Sequence, residues 1–115
     1  MVSMTLKIET DNTKEIKKIA RENLMTALEL IAQQAETNAV YEITVLGAVD
    51  TGNLRRSIEH GVDGEDTAYV GTNVEYGKYV EYGTSKMPAR PFLKQAVENH
   101  KAEYKKLLEI GMRGH

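Results

Sequence analysis

The chain has 115 residues, is 41% hydrophobic and 28% charged, and carries a formal net charge of −2. That length supports one domain, residues 1–115, able to bury roughly two thirds of its unfolded surface. The mildly acidic balance argues against a dedicated nucleic-acid binder, the lack of cysteine removes disulfides, thiolate catalysis and cysteine–zinc sites, and no apolar run reaches the ~18 residues of a membrane span.

With one Phe and no Trp, the core must come from Ile, Leu, Val, Ala and Met. The N-terminus lacks the apolar stretch of a signal peptide, so synthesis in the cytoplasm is expected. Residues 4–9 alternate apolar and polar, the period of a half-buried strand. Asp11 or Asn12, with Glu15, then supplies a helix N-cap. A long helix to about Asn38 follows, its stripe being Ile16, Ile19, Ala20, Leu24, Ala27, Leu28, Ile31 and Ala35. Residues 40–46 are β-branched and aromatic and read as a strand or ordered connection, broken by Gly47.

Asp50-Thr51-Gly52-Asn53 forms a turn and cap for a short helix at Leu54–Ser57. Two strands, Ser57–Val62 and Thr67–Thr72, flank an Asp63-Gly64 hairpin turn. A short helix over Glu75–Tyr82 carries Tyr76, Tyr79 and Val80 on one side and stops at Gly83. After a loop over 84–90, Pro91 opens a last helix to about Ile110, striped by Leu93, Val97, His100, Tyr104 and Leu107 and ended by Gly111. The expected architecture is α+β. It comprises an N-terminal strand and long helix (1–40), a sheet and motif region (41–90) and a C-terminal helix (91–110), with a small antiparallel sheet packed against the helices.

The candidate chemistry is sparse. Asp50-Thr51-Gly52 matches the short motif of aspartic proteases, in which two aspartates share a proton. Arg55 and Arg56 stand where such a fold needs an apolar strand, so a turn and cap is the favoured reading. His60, His100 and His115 are scattered, and His100 has no carboxylate or histidine at i+4. Gly83-Thr84-Ser85-Lys86 lacks the order and spacing of a phosphate loop. Lys78, Lys86, Arg90 and Lys94, interleaved with Tyr76, Tyr79 and Tyr82, offer a second reading as a nucleic-acid-binding module over 76–94. Tyrosine with arginine also favours protein interfaces. No catalytic, metal-binding or cofactor-binding set emerges, and a non-enzymatic role is expected.

Three segments in order carry a family resemblance: Asp50 to Ile58, Tyr69 to Tyr76, and Tyr79 to Leu93 with its Gly-Thr-Ser-Lys-Met-Pro-Ala-Arg-Pro-Phe-Leu run. Together they resemble the small tail-component and neck proteins of tailed bacteriophages and prophages. The family's Pro-containing loop before the Asp-Thr-Gly segment is missing, since residues 39–49 hold no proline. The resemblance implies a non-enzymatic virion protein at the head–tail junction. It would assemble as a ring on connector, head-closure or tail proteins, with at most passive contact with DNA in the channel. The motif residues are Asp50, Thr51, Gly52, Leu54, Ser57, Gly71, Gly83, Thr84, Pro88, Pro91, Phe92 and Leu93. Gly52, Gly71 and Gly83 are expected to free the backbone, Pro88 and Pro91 to stiffen the loop, and Phe92 and Leu93 to anchor the last helix. Tyr76, Tyr79, Glu81, Tyr82, Lys86 and Arg90 are the expected contact residues.

Overall fold

Thr67–Thr72, with Ala68, Val70, Gly71 and Thr72 buried, forms the middle strand of a three-stranded antiparallel sheet. The computed structural model describes residues 2–7, 21–46, 51–64 and 67–112. In chain order the elements are β1 (Val2–Lys7), α1 (Arg21–Leu46), α2 (Thr51–Arg56), β2 (Ile58–Asp63), β3 (Thr67–Thr72), α3 (Glu75–Tyr82), α4 (Phe92–Glu98) and α5 (Lys101–Met112). Ile8, Glu9, the capping residues Asp11, Asn12 and Glu15, the stripe residues Ile16, Ile19 and Ala20, Gly47, Asp50, Glu65, Asp66 and His115 lie outside the described residues.

The sheet order is β1-β3-β2, with Met4 and His60 both paired to Val70. The period of two puts Ala68, Val70, Thr72 and Ile58 on one buried face. That face packs against α1, whose Leu28, Ile31, Ala32, Ala35, Ala39 and Ile43 complete the core with Phe92, Leu93, Ala96 and Tyr104. The other face carries Ser3, Thr5, Glu59 and Tyr69 and is largely open, as antiparallel sheets allow. The expected α+β class is the observed one. Among the described residues, no helix is long and apolar enough to cross a membrane.

Three expectations are corrected. Residues 40–46 are the last turns of α1, not a strand. The helical stripe continues through Ala39 and Ile43 at steps of four, and burying those side chains overrides the local preference for strand. The threonines on the outer face fit a helix because they donate back one turn, Thr37 Oγ1 to Gln33 O at 3.2 Å and Thr44 Oγ1 to Val40 O at 2.9 Å. The final helix is broken in two at Asn99–His100, and Pro91 precedes the first helical residue rather than occupying it. Gly111 does not end α5 but lies inside it. A Cβ at Gly111 would meet Ala27 Cα at 2.5 Å, so the absence of a side chain lets α1 and α5 touch backbone to backbone.

A polar cluster marks the break. Tyr104, 6% exposed, donates its hydroxyl to Ala96 O at 2.5 Å and accepts from Asn38 Nδ2 at 3.0 Å. Asn38 also donates to Glu103 Oε1 and accepts from Gln34 Nε2. His100 sits between Glu103, three residues on (Nδ1, 3.0 Å), and Glu42, a carboxylate distant in sequence (Nε2, 3.5 Å). Tyr104→Phe leaves Ala96 O without its donor inside the core. The expected loss is about 1–2 kcal/mol, read as a shift of the urea midpoint without a change in slope.

Candidate assembly surface

Residues of the first two resembling segments meet Gly77 of α3 at one joint. Leu54, 1% exposed, comes from α2, Ser57 from the turn that follows, Thr72 from β3 and Gly77 from α3. Ser57 Oγ donates to Leu54 O at 2.6 Å and shares a 2.5 Å hydrogen bond with Thr72 Oγ1, which also accepts from Val74 N at 3.1 Å. A Cβ on Gly77 would lie 2.5 Å from Thr72 Cγ2 and 3.0 Å from Leu54 Cδ1. One hydroxyl thus ties the strand end to the start of α3, and one glycine lets α3 seat on α2. Gly77 and Thr72 escaped sequence reasoning, although a glycine inside a helical pattern signals close approach.

Thr51 and Gly52 belong to a helix, which is not the strand-and-turn that protease chemistry requires. Nor do Gly52 and Gly71 supply unusual backbone. They lie in α2 and β3, and among the described glycines positive φ occurs at Gly64 and Gly83. Gly83 has φ 80° and ψ 173°, a region essentially closed to other residues. It closes α3 by donating its N–H to Tyr79 O at 2.7 Å.

The loop after Gly83 is held at both ends. Thr84 and Met87 pair as an isolated antiparallel bridge, with Thr84 N donating to Met87 O at 2.8 Å. Lys86 N donates to Thr84 Oγ1 at 3.2 Å. Arg90 N donates to Val80 O at 2.7 Å, folding the loop back onto α3. Pro88 is exposed and Pro91 half-buried, while Phe92 and Leu93 are both 0% exposed. Fully burying each of those two side chains contributes about 2–3 kcal/mol.

Glu81 corrects the expected contact set. It is 2% exposed and its carboxylate turns inward, accepting from Leu93 N at 2.7 Å and Lys94 N at 3.3 Å. Those amides open α4, and an acceptor there satisfies donors that no intrahelical carbonyl can reach. Burial pushes the Glu81 carboxyl upward, opposed by the Leu93 and Lys94 amide bonds and by the Lys94 charge.

With Gly77, Val80 and Glu81 facing inward, α3 turns its tyrosines outward. Tyr76, Tyr79 and Tyr82 are 36%, 42% and 60% exposed. Tyr76 and Tyr79 therefore do not share the buried side with Val80. Tyr79 donates its hydroxyl to Glu75 Oε1 at 2.9 Å, and that bond pushes its ionisation upward. Lys78 and Lys86 are exposed beside the tyrosines, and Arg90 is half-buried. The result is a tyrosine- and lysine-bearing ridge on a backbone fixed by Gly83, Glu81 and the Thr84–Met87 bridge.

No curated protein and no solved structure matches the chain. One family model does, over residues 4–83, described as "Bacteriophage HK97-gp10, putative tail-component". The matched span runs from the first strand through the Leu54–Thr72–Gly77 joint to the glycine that closes α3. Covering well over half of the sequence, it shows that the chain belongs to the HK97-gp10-like family of phage tail components.

Proposed function

We propose that this tail component works at the head–tail junction of a tailed phage or prophage. It assembles there as a ring of identical subunits that contacts connector, head-closure or tail proteins. The observation carrying this reading is the α3 ridge, where exposed tyrosines stand on a helix whose inner side is pinned by a buried carboxylate and a glycine turn. Aromatic side chains on a preorganised backbone lose little entropy on contact, which suits an assembly surface. The role is structural, with the virion neck or upper tail as its place, and the ridge supplies contacts rather than chemistry.

Electron microscopy of particles made without this gene tests the reading. The expected result is filled heads accumulating beside separate tails of normal length, with joined particles restored by the gene in trans. Tails of uncontrolled length would move the role to tail termination. Intact infectious particles would overturn it.

A further inference from the structure

The charges of this chain are divided between elements. From Arg21 to Leu46, α1 holds one arginine and four glutamates. From Glu75 to Lys106 there are seven lysines and arginines against four glutamates. Along α1, Glu22, Glu29, Gln33, Thr37, Tyr41 and Thr44 recur at helical spacing on the side away from the core, and all are exposed. Tyr41 and Val45 are each 60% exposed near the C-terminal end of that face. Glu22 and Glu29 make no ion pair with another described residue. A long helix face thus remains open, acidic at one end and aromatic at the other.

The ridge on α3 is its chemical complement. Tyr79 and Tyr82 are exposed there, and neither Lys78 nor Lys86 makes an ion pair with a described residue. The exposed Arg55 and Arg56 belong to α2, the helix on which α3 seats through Leu54 and Gly77. The principal packing of α1 is against the sheet, α2, α4 and α5, so the ridge and the open α1 face are different surfaces.

We infer that the occupant of the open α1 face is the α3 ridge of a second copy of this chain. Lysines and tyrosines of one subunit meet glutamates and Tyr41 of the next. The inference rests on the ring assembly proposed above and names its contact. Two unlike, complementary surfaces on one chain make a head-to-tail contact, which closes into a ring when the rotation permits. The opposed charges also steer the encounter and fix its register.

Charge reversal with rescue tests this on the purified full-length chain, by sedimentation at low ionic strength. Wild type is expected to self-associate, and added salt to weaken it. Lys78→Glu with Lys86→Glu, and separately Glu22→Lys with Glu29→Lys, should each weaken self-association about tenfold or more. All four reversals together should restore it, because the two faces again match. Unchanged association in either double variant overturns the contact, as does a fourfold variant that stays dissociated. A wild-type chain that remains monomeric also overturns it. If only the lysine pair matters, the ridge meets some other face of the second copy and the inference falls. None of these failures touches the tail-component role, which particle microscopy decides independently.

Discussion

Gly83→Ala should cost the protein about 3 kcal/mol in urea denaturation, with Gly83→Val worse still. Two effects add at this position. The φ of 80° with ψ of 173° lies where an alanine is strained, by about 1–3 kcal/mol. A Cβ would also stand 2.7 Å from Ala89 N, 3.0 Å from Met87 O and 3.1 Å from Ala89 Cα. These are backbone atoms, and they cannot swing aside as a side-chain tip would. Relief would have to come from opening the Thr84–Met87 bridge or moving the loop off Val80 O, so strain passes directly into the ridge. Gly64→Ala provides the matched control, having φ 69° and open space around it, and should cost about 1 kcal/mol. If both substitutions cost the same, the close approach at Gly83 contributes nothing and the loop is softer than its hydrogen bonds indicate.

What could be read from the sequence follows from where the forces are local. Thr67–Thr72 and Glu75–Tyr82 are bounded in the structure as expected, because alternation, the Asp-Gly turn and Gly83 all act within a few residues. The end of α1 runs against local preference, because Val40, Tyr41, Ile43, Thr44 and Val45 favour strands individually, whereas Ala35, Ala39 and Ile43 bury together only as a helix. The break at Asn99–His100 contains neither glycine nor proline. It is accompanied by a contact distant in sequence, that of His100 with Glu42, which periodicity cannot see.

The surface was partly legible for the same reason. Tyr76, Tyr79 and Tyr82 stood out by composition, and the structure leaves all three substantially exposed. Glu81 looked like one more surface carboxylate, since its partners are amides of the next helix. Its spacing from Gly77 and Val80 did place it on the inward stripe. The family signal is also distributed differently from the quoted motifs. Those begin near residue 50, whereas the family model reaches back to residue 4 and stops at Gly83. The first strand and α1, which carry none of the quoted motifs, lie within that span.

Glu81→Ala should destabilise the fold by about 3–4 kcal/mol, since it strands two amide donors and empties the space between α3 and α4. Glu81→Gln is the sharper variant, because it keeps the volume and one acceptor and should cost about 1 kcal/mol near neutrality. The two differ from wild type in how stability follows pH. Burial raises the Glu81 carboxyl above the ordinary glutamate value, so the folded chain holds that proton to higher pH than the unfolded chain does. In that window the folded state binds more protons, and stability falls as pH rises. The proton-linked part of Glu81's contribution is therefore complete below the ordinary glutamate range and is lost as pH climbs through the raised value. Glutamine does not titrate, and the other carboxylates are common to both proteins. The stability of wild type relative to Glu81→Gln should accordingly decline as pH rises through this window, then level off. A difference that grows with pH would mean that the two amide bonds and Lys94 outweigh burial. The α4 cap would then be strongest as a full carboxylate, and the ridge would be held more firmly at neutral pH than in acid.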